Sequence, residues 1–206
     1  MLVILRERVK PYYKESRYLH ALAVEDEAAY MAREILPERE GSLRAAAILH
    51  DIAKKISIEK QLNYIREFGI MKENKSVVGD VAHAAAGAAM IMELFPEYAA
   101  VPGLLSAVQY HATGHAGMTV FEAIIFLADY IEPTRQYESC RRLRTFFREG
   151  MGRSVTLDEK LKVLRESVMT SLSETINYVR SKGYELDPET STALSYFENG
   201  GELIYG

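Results

Sequence analysis

The chain has 206 residues, enough for one well-filled hydrophobic core, so we expect a single domain over residues 1–206. Apolar residues make up 48% and charged residues 26%, a balance that excludes an intrinsically disordered protein. The net charge of −4 argues against sequence-independent binding to nucleic-acid phosphates, so we expect no nucleic-acid partner.

Helix-forming residues recur at helical spacing along the chain, and alternating runs of β-branched residues are missing. This pattern predicts an all-α fold built as a single-domain helical bundle. A first short helix is expected to end near Pro11. A second is expected to run from about Ser16 to Leu36, where Pro37 stops it.

The middle of the chain predicts three more helices. Ser42 is the expected cap of a helix that carries "LRAAAILHDIAKK", and Ser57 is the expected cap of a short helix after it. The segment "GDVAHAAAGAAMIMELF" predicts the next helix, which Pro96 closes. Its Ala and Gly residues would let a neighbouring backbone approach closely.

The last part of the chain predicts further helices around a Gly-rich break. The segment "GLLSAVQYH" ends at "ATGHAG", and "MTVFEAIIFLADYIEP" then resumes as a strongly apolar helix. An amphipathic helix follows near the C-terminus, with its apolar stripe at Leu157, Leu161, Leu164, Val168, Leu172, Ile176 and Val179. Between the strongly apolar helix and the amphipathic helix, "REGMGRS" at 148–154 is expected to be a flexible connection within the domain.

Cys140 is the only cysteine, which excludes an internal disulfide and a thiolate metal cluster. A reducing, cytoplasmic setting fits this composition. The N-terminal "MLVILRERVKPYY" is charged from Arg6 onward and lacks the apolar core of a signal peptide, and no later window approaches a membrane span. We therefore expect a cytoplasmic protein without a membrane partner.

Four of the five histidines, together with two aspartates, lie on or at the end of different predicted helices, as cofactor ligands do in helical bundles. These candidate metal ligands are His20, His50, Asp51, His83, His111 and Asp129. Taken singly, His20 and His83 are more often core or surface histidines. Asp129 lies within "IIFLADYI", where a buried carboxylate needs a cation, although it could instead pair with Arg135.

Imidazole nitrogens and carboxylate oxygens together suit Fe, Mn, Zn, Co or Ni. Six ligands are too many for one tetrahedral ion but suit two ions that share Asp51. Such a pair, about 3.5–4 Å apart, would hold a bridging hydroxide and clamp the oxygens of a phosphoryl group. The residues therefore predict metal-assisted phosphate hydrolysis, with Asp51 and Lys54 as the catalytic residues.

Three basic residues are candidate phosphate contacts. Lys54 follows Asp51 by three residues, so on a continuous helix it shares the face that presents the ligands. Arg17 lies one turn before His20, and Arg135 follows the helix of Asp129. Guanidinium groups suit phosphate oxygens, but any of the three could instead orient a carboxylate ligand.

The Gly-rich break after His111 supplies further candidate substrate contacts. Thr113 and Gly114 offer N–H groups that could hold a phosphate or a base edge. His115 could donate a hydrogen bond to a phosphate or a proton to a leaving oxygen. A solvated loop histidine is an equally good interpretation of His115.

The "HD" doublet with its flanking ligands resembles the HD phosphohydrolase superfamily. More narrowly, "RYLH", "LHDIAK", "HAAAGA", "HATG" and "FLADYIEPTR", between residues 17 and 135, resemble the symmetrical diadenosine tetraphosphate hydrolases. The resemblance implies an HD-type bundle, with a metal core at about 17–135 and C-terminal helices at about 136–206 packed on it.

The resemblance also implies a ligand set and a reaction. His20, His50, Asp51 and Asp129 would bind one iron ion. Asp51, His83 and His111 would bind a second, and attack on a central phosphate of a dinucleoside tetraphosphate would release two nucleoside diphosphates. Two alternatives stay open: a nucleotidase or phosphodiesterase acting on mononucleotides or alarmones, and a nucleotide-binding regulatory protein without turnover. The apolar C-terminal helix could support a homodimer or complete the core of a monomer.

Overall fold

The computed structural model describes residues 2–70 and 79–205. Within these ranges the chain forms α-helices joined by short turns and no β-strand, apart from one isolated bridge between Thr119 and Ile204. The helices are α1 (Leu2–Val9), α2 (Glu15–Ile35), α3 (Glu40–Leu49), α4 (Ile58–Glu67), α5 (Ala82–Leu94), α6 (Pro96–Ala99), α7 (Leu104–Tyr110), α8 (Val120–Ile131), α9 (Glu138–Arg153), α10 (Leu157–Ser181) and α11 (Pro188–Glu198). The predicted all-α class is confirmed.

Several helix ends follow directly from the local sequence. The Ser57 side chain accepts a hydrogen bond from the Lys60 amide and caps α4, as predicted. Thr119 begins α8 in a capping box, in which its hydroxyl accepts from the Glu122 amide while the Glu122 carboxylate accepts from the Thr119 amide. These caps pair amides that would otherwise lack intrahelical partners.

The packing places α8 inside the bundle, since nearly all of its side chains are buried. Helix α2 packs along α3 and α8, α5 packs against α4 and α7, and α10 contacts α8, α9 and α11. Gly87 on α5 permits one close approach, because an added Cβ there would lie 3.2 Å from Val108 Cγ1 and 3.5 Å from the His50 carbonyl oxygen. The Ala- and Gly-rich face of α5 thus lets two ligand-bearing segments meet it closely.

Two predictions about α3 are wrong. The helix begins at Glu40, immediately after the turn Pro37–Arg39, so Ser42 lies inside it and is not its cap. It ends at Leu49, and Asp51–Lys55 forms tight turns instead of continuing the helix. The His50 ring donates to the Ala47 carbonyl oxygen, the acceptor that the Asp51 amide would use in a longer helix. Lys54 is therefore not on a helix face.

The predicted flexible connection at 148–154 is also wrong, because α9 runs through it to Arg153. Gly150 is buried, and a Cβ added there would lie 2.7 Å from Val163 Cγ1 on α10. The glycine thus serves close helix packing and does not loosen the chain. The amphipathic helix near the C-terminus is confirmed as α10, which buries Leu164, Val168 and Leu172.

In the described part of the chain, none of the helices has both the length and the apolar character needed to cross a membrane.

Candidate metal centre

The six predicted metal ligands converge in the interior from five different helices or their ends. His20 lies on α2, His50 ends α3, Asp51 follows it, His83 lies in the first turn of α5, His111 ends α7 and Asp129 lies near the end of α8. Five of these residues are buried, while the Asp129 side chain keeps 17% of its surface exposed. Residues up to 109 positions apart along the sequence therefore meet at one point.

One half of the cluster contains His20, His50 and Asp129, whose ligand atoms lie within 4.8 Å of one another. His20 Nε2 is 2.9 Å from Asp129 Oδ1, and His50 Nε2 is 3.9 Å from the same oxygen. The two imidazole rings meet edge to face with their centroids 5.3 Å apart. These three donors could hold one ion.

The other half contains Asp51, His83 and His111. Asp51 Oδ1 is 3.3 Å from His83 Nε2 and 3.6 Å from His111 Nε2, and the two nitrogens are 3.3 Å apart. The second oxygen of the same carboxylate, Oδ2, is 3.6 Å from His50 Nε2. The two oxygens of Asp51 therefore face the two halves of the cluster, as a bridging carboxylate requires.

Outer contacts orient three of the imidazole rings. The Nδ1–H groups of His50 and His111 donate to the carbonyl oxygens of Ala47 and Val108, each at 2.7 Å. His20 Nδ1 is paired with Glu132 Oε1 at 3.1 Å. Each contact fixes the ring tautomer and directs Nε2 into the cluster, as second-shell partners of metal-binding histidines do.

A transition-metal ion fits this donor set. His20 Nε2 and His50 Nε2 are buried without a hydrogen-bond partner, because the close contact between His20 and Asp129 is not aligned as a hydrogen bond. An unpaired lone pair, such as that of the neutral His50 ring, is costly to bury unless a cation takes it. Imidazole and carboxylate donors suit Fe, Mn, Co, Ni or Zn, and they do not distinguish among them.

Strong local fields act on the cluster. Burial holds the pKa of the His50 ring at about 4, against the opposing charge of Asp51, so its lone pair is free at neutral pH. Burial alone would lower the pKa of His20, but the carboxylates of Asp129 and Glu132 raise it to about 9. Burial also opposes ionisation of Asp51, yet the surrounding imidazoles keep its pKa well below the usual value. The cluster thus holds its carboxylates as anions in a buried setting.

The three basic residues predicted to bind phosphate lie at the rim of the cluster. The Lys54 ammonium lies 3.0 Å from His83 Nε2, and the Arg17 guanidinium donates to Asp51 Oδ2 at 3.2 Å. The Arg135 guanidinium donates to Asp129 Oδ1 at 2.6 Å, which is the carboxylate pairing considered from the sequence. Burial next to these cations lowers the pKa of Lys54. All three thus contact ligand side chains of the cluster.

The residues that follow His111 contact other parts of the protein, and their surroundings differ from those of the three basic residues. The amides of Thr113 and Gly114 donate to the Tyr110 carbonyl oxygen at 3.3 and 2.8 Å and so complete the end of α7. Gly114 packs against Leu172 of α10, and the His115 ring is paired with Glu122 Oε2 at 3.1 Å. A substrate-binding role for Thr113, Gly114 and His115 stays a prediction.

Glu132, in the segment "FLADYIEPTR", is a site residue that the sequence did not predict. Its side chain is buried and accepts hydrogen bonds from the Thr134 amide and hydroxyl as well as from His20. Arg144 of α9 then fixes this turn from outside by donating to the carbonyl oxygens of Ile131, Glu132 and Arg135. The usable sequence signal was an acidic residue one position before Pro133 in an otherwise apolar stretch.

Comparisons with known proteins agree with this arrangement. The model of the HD domain family matches residues 17–134. Proteins named symmetrical bis(5'-nucleosyl)-tetraphosphatase are similar over nearly the whole chain. The protein from Staphylococcus aureus is 36% identical and covers 92% of this chain and 91% of its own length. The protein from Halalkalibacterium halodurans is 31% identical over 88% of this chain and 89% of its own length.

A solved structure has the same fold. The crystal structure of a Clostridium acetobutylicum protein, described as a predicted HD superfamily hydrolase involved in NAD metabolism, superposes with a TM-score of 0.76. It is 25% identical in sequence, and the match covers 97% of both chains. The helical architecture described above is therefore shared along the full length of that protein.

Proposed function

Since the chain belongs to the HD domain family and is similar over most of its length to symmetrical bis(5'-nucleosyl)-tetraphosphatases, we propose that it hydrolyses diadenosine tetraphosphate. Related dinucleoside polyphosphates would also be substrates, and the products are two nucleoside diphosphates, ADP from the adenosine substrate. The observation that carries this proposal is the Asp51 carboxylate, whose two oxygens face separate groups of imidazole nitrogens.

The proposed ligands divide into two sets that share Asp51. His20, His50, Asp51 and Asp129 would hold one ion, and Asp51, His83 and His111 would hold the other. Iron is the proposed metal, with Mn, Co, Zn and Ni as alternatives that the same donors accept. When bound, such ions polarise phosphoryl oxygens and make water acidic enough to serve as a nucleophile near neutral pH.

The chain's own residues then bind and orient the substrate. Lys54, Arg17 and Arg135 present cationic groups at the rim of the cluster and would bind the oxygens of the tetraphosphate. Glu132 and the two backbone carbonyl acceptors keep the imidazoles in place during the reaction. Because the leaving diphosphate is already a good leaving group, the arrangement needs no strong general acid.

We also propose that the whole chain is one domain, because one continuous apolar core extends from Leu5 to Phe197. The predicted 1–206 range includes residues 1, 71–78 and 206, which lie outside the described residues. A cytoplasmic location and a small-molecule nucleotide substrate fit the single, buried Cys140 and the basic rim. Assembly as a homodimer stays a proposal.

Product analysis tests the proposed reaction. Incubation with diadenosine tetraphosphate should yield ADP alone, which anion-exchange chromatography separates from AMP and ATP. Formation of AMP together with ATP would contradict symmetrical cleavage. Turnover of mononucleotides without turnover of the tetraphosphate would favour the alternative nucleotidase function.

A further inference from the structure

A cavity of about 610 Å³ adjoins the metal centre on the side of the turn between α8 and α9. Its lining includes the buried His20, the half-buried Arg17 and Arg135, and the exposed Gln136 and Tyr137. This volume is in the range of cavities that bind small organic ligands. The cavity therefore runs from the proposed ligands, past two guanidinium groups, to an aromatic side chain.

Tyr137 is unusual among the aromatic residues that border the centre, because 68% of its surface is exposed. Its backbone caps α9, and the residue lines the cavity and is not part of the buried core. An exposed aromatic ring offers a flat surface on which a nucleobase can stack. Beside it, the Gln136 amide nitrogen donates to the Pro133 carbonyl oxygen at 2.8 Å, so the side-chain oxygen retains its capacity to accept.

The cavity on the other side of Arg17 is different. It has a volume of about 220 Å³, and Arg17 is shared between the two cavities. Lys14, Lys54, Lys55 and Asp51 line it together with two tyrosines that are held by the protein: Tyr13 is buried with its hydroxyl donating to the Ile48 carbonyl oxygen, and the Tyr12 ring packs edge to face on Phe95. That volume is below the range of typical small-molecule sites, and its lining is strongly basic. It suits phosphate groups better than a nucleoside.

We propose that the larger cavity is a nucleoside site, in which one base of the substrate stacks on Tyr137 and Gln136 accepts a hydrogen bond from the base. The α- and β-phosphates of that half extend inward past Arg135 and Arg17, and the remaining phosphates pass Lys54. This inference rests on the proposed function and adds its specificity: one base of the dinucleotide is recognised, and the second contributes little to binding.

The test compares Tyr137→Ala with Tyr137→Phe in the metal-loaded enzyme. Loss of one stacking contact should raise KM for diadenosine tetraphosphate and the inhibition constant of ADP by the same factor, about tenfold, with kcat nearly unchanged. The Phe variant keeps the ring and should behave as the wild type. Tyr178→Ala, which removes a ring that is 54% exposed on α10, is the matched control and should have no effect.

Inorganic diphosphate separates base binding from phosphate binding. Its inhibition constant should be the same in Tyr137→Ala and the wild type, because it has no base to stack. Equal KM and ADP inhibition in Tyr137→Ala and the wild type, with normal ADP formation by both, would overturn the nucleoside site and leave the proposed function intact. Failure of the wild type to form ADP from the tetraphosphate would overturn both.

Discussion

The helices that carry the ligands and the C-terminal helices α9–α11 treat buried polar groups in opposite ways. Among the described residues, the three buried side-chain atoms without hydrogen-bond partners belong to His20, His50 and Glu27, all on or next to α2 and α3. The C-terminal helices instead pair charges with one another near the surface, as Arg142 of α9 does with Glu174 of α10. The donor set of the first region suits a cation, whereas the second region pairs its charges within the protein.

This contrast identifies the region in which unpaired buried atoms lower the free energy of unfolding. A buried polar atom without a partner costs about 1–3 kcal/mol, so the unpaired ring nitrogens of the ligand helices carry a penalty that a bound metal would remove. A surface ion pair such as Arg142–Glu174 contributes about 0–1 kcal/mol whether or not metal is present. The two regions should therefore respond differently to mutation, to metal and to pH.

The largest expected effect is that of Asp51→Ala. It removes the carboxylate that both proposed ions share, so we expect activity to fall by about a thousandfold or more, together with loss of bound metal. Elemental analysis and ADP formation measure the two losses. Asp158→Ala, at an exposed position in the first turn of α10, should change neither. Full activity in Asp51→Ala would rule out the bridging role.

Glu132→Gln should have the next largest effect. The substitution keeps the size of the side chain but weakens its hold on His20 Nδ1, and outer-shell changes of this kind reduce metal affinity or activity by about 10–100-fold. Metal titration and kcat/KM measure the change. Glu138→Gln, an exposed acid six residues along the chain, serves as the control. Equal metal affinity in the two variants would show that Glu132 does not orient the ligand.

Removal of the metals should affect the two regions unequally. We expect a chelator to increase amide hydrogen exchange in α2, α3 and α8, because the ion no longer offsets their buried polar atoms, while α11 and the C-terminal half of α10 change little. Exchange followed by mass spectrometry at peptide resolution measures this difference. A uniform increase along the chain would contradict the contrast between the regions.

The smallest expected effect concerns the pair of His115 and Glu122. Burial opposes the charge on His115, but its hydrogen bond to Glu122 raises its pKa above the usual 6.5, and the same pair lowers the pKa of Glu122 below 4.5. The stabilisation from His115 is complete below pH 6.5 and is lost as the pH rises through its raised pKa, while that from Glu122 is lost as the pH falls below 4.5.

His115→Ala should therefore lower the melting temperature by about 2–4 °C near pH 6 and by less near pH 9. Thermal unfolding of the wild type and the variant at the two pH values measures the difference. An equal loss at both would show that the ring stabilises the fold only by packing, for example on Tyr110.

Helical periodicity predicted the fold class and α10 well, because apolar spacing reports directly which helix face is buried. The resemblance to the HD phosphohydrolases is confirmed by the family model. The end of α3 could not be predicted, since it depends on the His50 ring taking the Ala47 carbonyl oxygen. Residues 148–154 were misread because Gly150 meets Val163 of α10, and such a tertiary contact leaves no local signal.

The residues of the site also divide into those that the sequence predicted and those that it did not. The six candidate ligands that the structure brings together were predicted from the sequence, because histidines and aspartates on several predicted helices of a bundle form a pattern that no single residue carries. Glu132 was missed, since its role comes from contacts with His20 and Thr134 that spacing does not encode. Lys54 lies beside His83 because the chain turns after His50. The sequence had predicted the same location on the assumption that Lys54 and Asp51 share a helix face.

The Arg144 contacts with the turn after α8 also bear on how the protein is made. On the ribosome, the chain emerges from its N-terminus, so His20, His50, His83 and His111 are synthesised before Asp129 and the arginine that holds the turn in place. A nascent chain that stops short of residue 144 has all four histidines of the cluster but lacks the Arg144 contacts that hold the turn after α8. The turn that carries Glu132 is therefore complete only after residue 144 has been synthesised.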